Sequence, residues 1–426
     1  MTHMHFENRS KSRHFFYFIW FMYAVTYMTN SCFSAAMASI VASGDMTKSQ
    51  TGLISALFYV VYAPLQVLGG VFADKYDPEK LIEIGLIGAG TANLLIFFNQ
   101  SYRFMLIVWT LNALAQFAMW PSIFKIISSQ LVAEDRKSSA YYISFSTTAG
   151  MLLSFLTAAV LPAWQYSFAI SSAALFLFAL GFYVAIKRAA PYMKQDDNAH
   201  TGTDDAAPVT EIGTNKLFIQ SGFYFLIAVG FFYYLVYQSI QTLSATMLME
   251  SYKNISHSIG NMLNVMIICS GLICTVVVRS FVYPRIIKSA PTGILIMCVT
   301  AAFFTVPLLF SGKISAALLV ISLCVACGAT TVIWLFFSYC YLRFAKFGKS
   351  GTAAGAVNAA ASLGIVASSF GITRVADSYN WETVSAVYIL LLILSAVLCA
   401  AALPFWKRFK KKYHSHKETS VQYTNT

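Results

Sequence analysis

The sequence predicts an all-α membrane protein with twelve transmembrane helices arranged as two six-helix bundles. Of its 426 residues, 58% are hydrophobic and 11% are charged, whereas soluble domains carry about 25% charged residues. Apolar runs recur along the whole chain, and most are close to the roughly 20 residues that a helix needs to cross a bilayer. This composition excludes a soluble enzyme.

Charged or turn residues bound twelve apolar runs, which are the predicted spans. In chain order they cover 15–40, 51–73, 81–98, 104–128, 139–161, 164–186, 217–249, 258–278, 290–310, 314–342, 351–373 and 382–405. The first run is too long for a signal peptide, and no small-residue cleavage site follows a short apolar core. We expect it to remain in the mature protein.

A polar segment, 187–216, separates the sixth run from the seventh and carries five acidic residues. It contains little apolar surface that could drive folding, so we expect a linker. The predicted organisation is an N-terminal tail (1–14), a first bundle (15–186), the linker (187–216), a second bundle (217–405) and a C-terminal tail (406–426).

The distribution of basic residues predicts the orientation, because cytoplasmic loops are enriched in Lys and Arg. With the N-terminus inside, the tails and inward loops carry 23 basic residues, and the outward loops carry 5. Both tails and the linker are therefore predicted to be cytoplasmic. Basic residues in cytoplasmic loops and tails explain the net charge of +12, so nucleic-acid binding is not needed to account for it.

The loop after the second span contains Gly70, Asp74, Lys75, Asp77 and Lys80. It resembles the G-x-x-x-D-R/K-x-G-R-R/K signature of the major facilitator superfamily, with Asp77 where the second glycine usually stands. A glycine lets two helices approach closely, and a carboxylate is stabilised at the positive N-terminus of a helix. The resemblance implies that this helix is span eleven, starting at Gly351. An ordinary charged turn is the alternative.

Three further segments narrow the resemblance to the organophosphate:phosphate antiporters, namely 73–78 (ADKYDP), Trp120-Pro121 and 349–355 (KSGTAAG). Carriers of that branch hold phosphate with basic residues on spans one and seven, helped by a lysine on span two and a histidine on span five. The matching positions here are Asn30, Tyr237, Gln66 and Thr147. All four are neutral, which indicates a different ligand. An orthodox organophosphate antiporter with a differently placed basic site is the alternative.

Polar and aromatic side chains repeat at helical spacing on spans one, four, seven and ten, as expected for the wall of a solute path. Hydrogen bonding between helices is the alternative for any one of them. The predicted substrate-binding residues are Tyr23, Tyr27, Asn30, Gln66, Asn112, Gln116, Thr147, Tyr234, Tyr237, Gln241 and Trp334.

Lys125 is the ionisable residue well inside a predicted span. It is interpreted either as part of a cytoplasmic gate or ligand contact, or as a lysine that extends to the membrane surface. The predicted gating residues are Gly70, Asp74, Lys75, Lys80, Lys125 and Gly351.

The chain has no nucleotide-binding P-loop, and its histidines lie in tails or loops, so no cofactor, metal or catalytic residue is predicted. We expect a monomeric transporter in a bacterial inner membrane that moves a small polar organic solute by alternating access and contacts membrane lipid but no nucleic acid. A carrier-like membrane sensor is the rival from another class.

Overall fold

The computed structural model describes residues 4–195, 212–255, 257–283, 287 and 289–413. Within them the fold is almost entirely helical. Residues 196–211 of the expected linker and 414–426 of the expected C-terminal tail lie outside the described residues.

The part of the chain up to Gln195 forms a short strand, seven helices, a 3₁₀ turn and a second strand. In order these are β1 (Met4–Phe6), α1 (Arg9–Ala42), α2 (Lys48–Lys75), α3 (Pro78–Phe98), α4 (Tyr102–Gln116), α5 (Met119–Ser129), α6 (Ala133–Val160), α7 (Gln165–Ala189), the 3₁₀ turn Ala190–Tyr192 and β2 (Met193–Gln195).

The described part of the chain from Thr214 onward contains eight α-helices, some of them extended by π or 3₁₀ turns. In order these are α8 (Thr214–Ser221), α9 (Phe223–Ser251), α10 (His257–Val277) with a π turn (Val278–Val282), α11 (Ala290–Thr305) with a 3₁₀ turn (Val306–Phe310), α12 (Ala316–Arg343), a 3₁₀ turn (Ala345–Phe347), α13 (Ser350–Ala367) with a π turn (Ser368–Ile372), α14 (Thr373–Ser378) and α15 (Trp381–Tyr413).

Ten of the described helical segments are long and apolar enough to cross a membrane. The predicted first and fifth spans are also helical, as α1 and α6, but they are not among the ten. Both carry polar side chains along their middle turns, including Asn30 in α1 and Thr147 in α6. Such groups in a membrane face protein rather than lipid. Ten strongly apolar helices and two more polar ones thus account for the twelve predicted spans.

The predicted fourth span is interrupted between α4 and α5. The break lies at Phe117 and Ala118, directly before α5 starts at Met119. Pro121 falls in the first turn of α5, where a missing N–H removes no helical hydrogen bond. The carbonyl freed at Phe117 accepts a hydrogen bond of 2.9 Å from Gln66 Nε2. The break therefore has a partner on α2.

The predicted seventh span begins later than expected. Gly222 has φ of +69°, a left-handed conformation that glycine adopts without steric cost. This turn ends α8 and starts α9. The residues from 217 to 221 consequently belong to a separate short helix.

The first residues of the expected linker are folded, which corrects the prediction of an unstructured segment from 187. Helix α7 continues to Ala189, and β2 then pairs antiparallel with β1, placing Phe6 opposite Met193. Each strand has only three residues, too few for a periodic pattern in the sequence to predict it. The last helix is also longer than predicted, because α15 runs to Tyr413 and the predicted twelfth span ends at 405.

The N-terminal segment is held against the first helices by a set of contacts that we call the tail clamp, made by Phe6, Arg9, Arg13, Gln130 and Asp135. The Phe6 side chain is 2% exposed, and its backbone N–H donates to the Gln130 carbonyl at 2.9 Å. Arg9 and Arg13 donate to the Asp135 carboxylate at 2.8 and 2.9 Å. These two guanidinium groups, Arg9 first, lower the pKa of Asp135 below its ordinary value.

The described residues cluster into two compact units, one within Met1–Val209 and Ser338–Val366, the other within Thr210–Phe337 and Ala367–Thr426. The first unit includes the end of α12 and most of α13, because α13 packs closely on α2. The division into bundles at 15–186 and 217–405 stays a sequence-based prediction.

In the first unit, α1 and α6 approach closely at Gly150. A Cβ at this position would collide with the Ala24 carbonyl oxygen and lie 2.8 Å from the Met28 nitrogen. In the second unit, α9 and α15 are joined by a 2.6 Å hydrogen bond between the hydroxyls of Ser239 and Tyr388. In the first unit two helices thus meet through a close backbone approach, and in the second unit two helices are joined by a side-chain hydrogen bond.

Each unit also contains a hydrogen bond from a tryptophan indole to a carboxylate. Trp164, at the start of the sixth span, donates to Asp45, after the first span, at 2.9 Å. Trp381, at the start of the twelfth span, donates to Glu250, at the end of the seventh span, at 2.9 Å. The two pairs occupy equivalent places in the two predicted sets of six spans.

Candidate functional site

The Asp74 carboxylate, at the end of α2, binds the first turn of α13. Its Oδ1 accepts a hydrogen bond from the Gly351 N–H at 3.0 Å, and its Oδ2 accepts from the Thr352 N–H at 2.6 Å and from the Thr352 hydroxyl. The first N–H groups of a helix have no intrahelical acceptor and carry a partial positive charge. Asp74 supplies both an acceptor and a negative charge.

Glycines on both helices permit this contact. A Cβ on Gly70 would lie 2.7 Å from the Gly351 carbonyl oxygen, and a Cβ on Gly351 would lie 2.8 Å from Asp74 Oδ1. A Cβ on Gly355 would lie 2.9 Å from Gly70 Cα. These distances are shorter than van der Waals contact, so the helices can approach this closely only without side chains at these positions.

Lys125, on α5, is the basic partner of Asp74. Its Nζ lies 3.8 Å from Asp74 Oδ1, and the two side chains are 8% and 2% exposed. It therefore does not extend to an exposed surface, which removes one of the two interpretations made from the sequence. We call Asp74, Lys125, Gly351 and Thr352 the Asp74 junction. Next to it, the hydroxyls of Ser128 and Ser350 are 2.7 Å apart.

Two predicted gating residues lie outside the junction. Lys75 and Lys80 are exposed, and Lys80 forms an ion pair of 3.3 Å with Asp77. Exposed pairs of this kind contribute about 0–1 kcal/mol. Of the six residues predicted for gating, the structure brings together Gly70, Asp74, Lys125 and Gly351.

Gln66 is predicted to bind substrate, but the protein itself uses both ends of its amide group. The Nε2 donates to the Phe117 carbonyl at 2.9 Å, and the Oε1 accepts from Asn358 Nδ2 at 2.5 Å. Gln66 is fully buried. It ties α2 both to the break before α5 and to α13.

The other predicted binding residues of the first unit lie on α1, α4 and α6. Tyr23 is buried, with its ring centroid 5.1 Å from that of Trp120 and 6.3 Å from that of Tyr27. Gln116 Nε2 donates to Asn112 Oδ1 at 2.8 Å, and both side chains are buried.

Two more predicted residues of this unit are partly buried. Asn30 has an Oδ1 that is enclosed without a hydrogen-bond partner among the described residues. The Thr147 hydroxyl donates to the carbonyl of Ser144 at 3.0 Å, within its own helix. The Thr147 hydroxyl thus already has a hydrogen-bond acceptor, while Asn30 Oδ1 can still accept a hydrogen bond.

In the second unit, three predicted residues form an aromatic cluster. The Tyr234 ring lies 5.1 Å from the ring of Tyr237 and 5.8 Å from that of Trp334. All three are partly buried. Gln241 lies one turn beyond Tyr237, and its backbone carbonyl accepts from Asn264 Nδ2 at 3.1 Å. Aromatic faces with nearby amides suit the orientation of a small polar ligand.

Three residues that the sequence analysis did not assign contribute to these contacts, namely Trp120, Thr352 and Asn358. Asn358 is an amide within a run of Ala, Gly and Ser on the eleventh span, which is a signal that sequence reasoning could have used. Thr352 directly follows the predicted helix start. In the described parts of the chain, no group of three or more His, Cys, Asp or Glu residues is placed to hold a metal ion.

Comparisons with known proteins agree with this architecture. The family model described as the Major Facilitator Superfamily matches residues 19–369. A crystal structure of FucP, a transporter of that superfamily, superposes with a TM-score of 0.66 at 12% identity, covering 91% of this chain and 98% of FucP. At this identity the likeness shows the fold.

Relatives by sequence match only part of the chain. The membrane sensor protein UhpC of Salmonella typhimurium is 38% identical over 104 residues, which is 24% of this chain and 24% of UhpC. A probable hexose phosphate transport protein of Chlamydia trachomatis is 22% identical over 261 residues, 55% of this chain and 57% of that protein. This chain therefore spans about a quarter of the first relative and over half of the second. From the family match and the fold together, the chain belongs to the Major Facilitator Superfamily.

Proposed function

We propose that the protein is a secondary transporter that moves a small polar organic solute across a bacterial inner membrane by alternating access. Membership of the superfamily supports this proposal. We also propose that both termini and the linker are cytoplasmic, because most basic residues of the loops and tails then lie on the cytoplasmic side.

The single observation that carries the proposal is the Asp74 junction. It joins α2 to α13, whose contacting residues are separated by 277 positions in the chain. A carboxylate at a helix N-terminus contributes about 0.3–1 kcal/mol, and up to about 2 kcal/mol when partly buried. A contact of this strength can favour one conformational state severalfold and still be broken during each transport cycle.

The buried charges support a solute other than a phosphate ester. A buried phosphate needs opposite charge and several donors, because unpaired charge costs many kcal/mol in a low-dielectric site. The four positions that resemble the phosphate site of the antiporter branch are neutral, and Lys125 is engaged with Asp74. The residues offer hydroxyl, amide and aromatic groups, which favour a hydroxyl-rich, zwitterionic or singly charged solute.

Exchange of inorganic phosphate and hexose phosphate in proteoliposomes tests the solute class. We expect no saturable phosphate exchange. Robust exchange that disappears in Lys125→Ala but survives in Asn30→Ala and Tyr237→Ala would place the anchor at Lys125 and support an orthodox organophosphate antiporter, the function named for the chlamydial relative.

A membrane sensor is the second candidate, favoured by the similarity to two proteins named UhpC, at 38% and 36% identity. Vesicles that contain only this protein distinguish the two functions. A transporter accumulates or exchanges solute in them, whereas a sensor binds its solute without moving it.

A further inference from the structure

Two helical stripes in the first unit face each other between two aromatic contacts. Phe33 of α1 and Trp109 of α4 have ring centroids 5.4 Å apart, and Tyr23 of α1 and Trp120 of α5 have centroids 5.1 Å apart. The residue number rises from Tyr23 to Phe33 as it falls from Trp120 to Trp109, so the helices run antiparallel. Ten residues of α1 separate Tyr23 from Phe33, and eleven residues separate Trp109 from Trp120, where the chain passes through the break between α4 and α5.

Three amide side chains lie between these contacts. Asn30 precedes Phe33 by three residues, and Asn112 follows Trp109 by three residues, so the two asparagines are at the same level of the helix pair. Gln116 lies one turn further along α4, on the same face as Asn112. We call Asn30, Asn112 and Gln116 the amide cluster.

The amide cluster holds polar atoms without hydrogen-bond partners. Asn112 and Gln116 are 0% and 1% exposed. Within the residues that the structure covers, Asn30 Oδ1, Asn112 Nδ2 and Gln116 Oε1 are enclosed and have no partner. Buried polar groups are normally paired. The nearby amide of Asn93, equally buried, has its Nδ2 bonded to the Ala89 carbonyl and its Oδ1 to the Cys32 thiol.

The chemistry of the unpaired atoms selects the ligand. The Asn112–Gln116 hydrogen bond leaves one amino group and one carbonyl oxygen free, whichever way the two amides are turned. An ammonium group would face the free amino group, which needs an acceptor. A phosphate or carboxylate would face free carbonyl oxygens, which need donors. A hydroxyl group both donates and accepts, and two adjacent hydroxyls can serve two oxygens and one amino group.

We propose that the amide cluster binds adjacent hydroxyl groups of the transported solute, which is therefore a polyol or a molecule with a sugar-like moiety. This rests on the proposed transport function, because the enclosed atoms must become accessible in another state of the cycle. The cluster then determines specificity for hydroxyls separately from any charged group that the solute carries.

The stability of the double variant Asn112→Leu/Gln116→Met tests this directly. Unpaired buried amides cost stability, and apolar residues of similar shape remove that cost. The apparent melting temperature in detergent should rise by about 2 °C or more. In the matched control Asn93→Leu, where both groups have partners, it should fall. A lower melting temperature for the double variant would show that the amides are structural and would overturn the proposal.

Ligand-induced stabilisation is the second readout, with glucose as the hydroxyl-bearing probe and sulfoacetate as the probe without hydroxyls. Glucose should raise the melting temperature of the wild type and of Asn93→Leu but not that of the double variant. Stabilisation by sulfoacetate alone, or by glucose in all three proteins, would overturn the proposal. These measurements involve no transport, so a sensor would still show the expected pattern while failing the vesicle assay.

Discussion

At the level of single residues, the proposed transport cycle depends on the carboxylate of Asp74. Replacing it by Asn leaves the shape but removes the charge that faces Lys125 and the helix N-terminus. We expect Asp74→Asn to reduce transport severalfold while membrane expression changes little, because about 1–2 kcal/mol of helix-terminus stabilisation is lost from one state. Initial uptake rates, normalised to protein in the membrane, measure this.

Asp77→Asn is the matched control, because Asp77 is only three residues away and pairs with an exposed Lys80. Its transport rate should stay close to that of the wild type. The double variant Asp74→Asn/Lys125→Gln should be more stable than Asp74→Asn, since an unpaired buried lysine is costly. Equal rates for Asp74→Asn and the wild type would remove the junction from the mechanism.

Sequence reasoning located the acidic residue and the start of its partner helix, because a glycine-containing loop and a helix start are local patterns. It could not foresee that Asn358 and the Phe117 carbonyl would use the amide of Gln66, since these three groups come from separate parts of the chain. The pairing of Asn112 with Gln116 is a local i, i+4 contact, which was recognisable as a stripe. Whether its remaining atoms find partners depends on tertiary packing.

At the element scale, glycine sets the distance between α1 and α6. Gly150→Ala should destabilise the protein by about 1–3 kcal/mol, because the added methyl would collide with backbone atoms of α1 that cannot rotate away. Gly52→Ala is the control, since a Cβ at Gly52 would meet no atom within 4 Å, and it should be neutral or stabilising. Thermal unfolding in detergent compares them, and equal melting temperatures would show that α1 can move to accommodate the methyl group.

The tail clamp should show a defined pH dependence. Arg9 and Arg13 lower the pKa of Asp135 in the folded state from its ordinary value of 3.8. The ionised carboxylate therefore stabilises the folded protein above that value. This stabilisation is lost as the pH falls through the lower folded-state pKa. Near pH 6 the free energy of unfolding of the wild type should exceed that of Asp135→Asn by about 1–3 kcal/mol. The difference should disappear in acid.

Thermal unfolding across this pH range measures the difference, with Glu382→Gln as the control because its ion pair with Lys313 is exposed. A gap between the wild type and Asp135→Asn that stays constant down to the lowest pH would contradict the role given to the ion pairs.

The long helices were predictable from the sequence because a long apolar run is a strong signal. Two other features of the fold were not predictable in this way. The turn at Gly222 depends on a single left-handed residue within an apolar run. The pairing of β1 with β2 joins segments nearly 190 residues apart through short strands of three residues, which carry almost no periodicity. A long apolar helix can be predicted from its own residues, but a short strand can be predicted only together with the strand it pairs with.

At the scale of the whole molecule, the charge distribution predicts that both tails and the linker are cytoplasmic. A cysteine introduced at Asn198, in the linker, should react with an impermeant maleimide only after cells are opened. A cysteine at Asp45, between α1 and α2, should react in intact cells. The opposite pattern would reverse the orientation, and with it the side on which the Asp74 junction acts.

Solute counterflow in proteoliposomes made from this protein alone shows whether the protein transports its solute. Vesicles preloaded with one candidate solute at a time, from a panel of sugars, polyols and phosphate esters, are diluted into the labelled form. We expect transient accumulation of a hydroxyl-bearing solute by the wild type, a severalfold slower rate in Asp74→Asn, and an unchanged rate in Asp77→Asn. Saturable binding of such a solute with no counterflow in any of these proteins would contradict transport and identify the protein as a sensor.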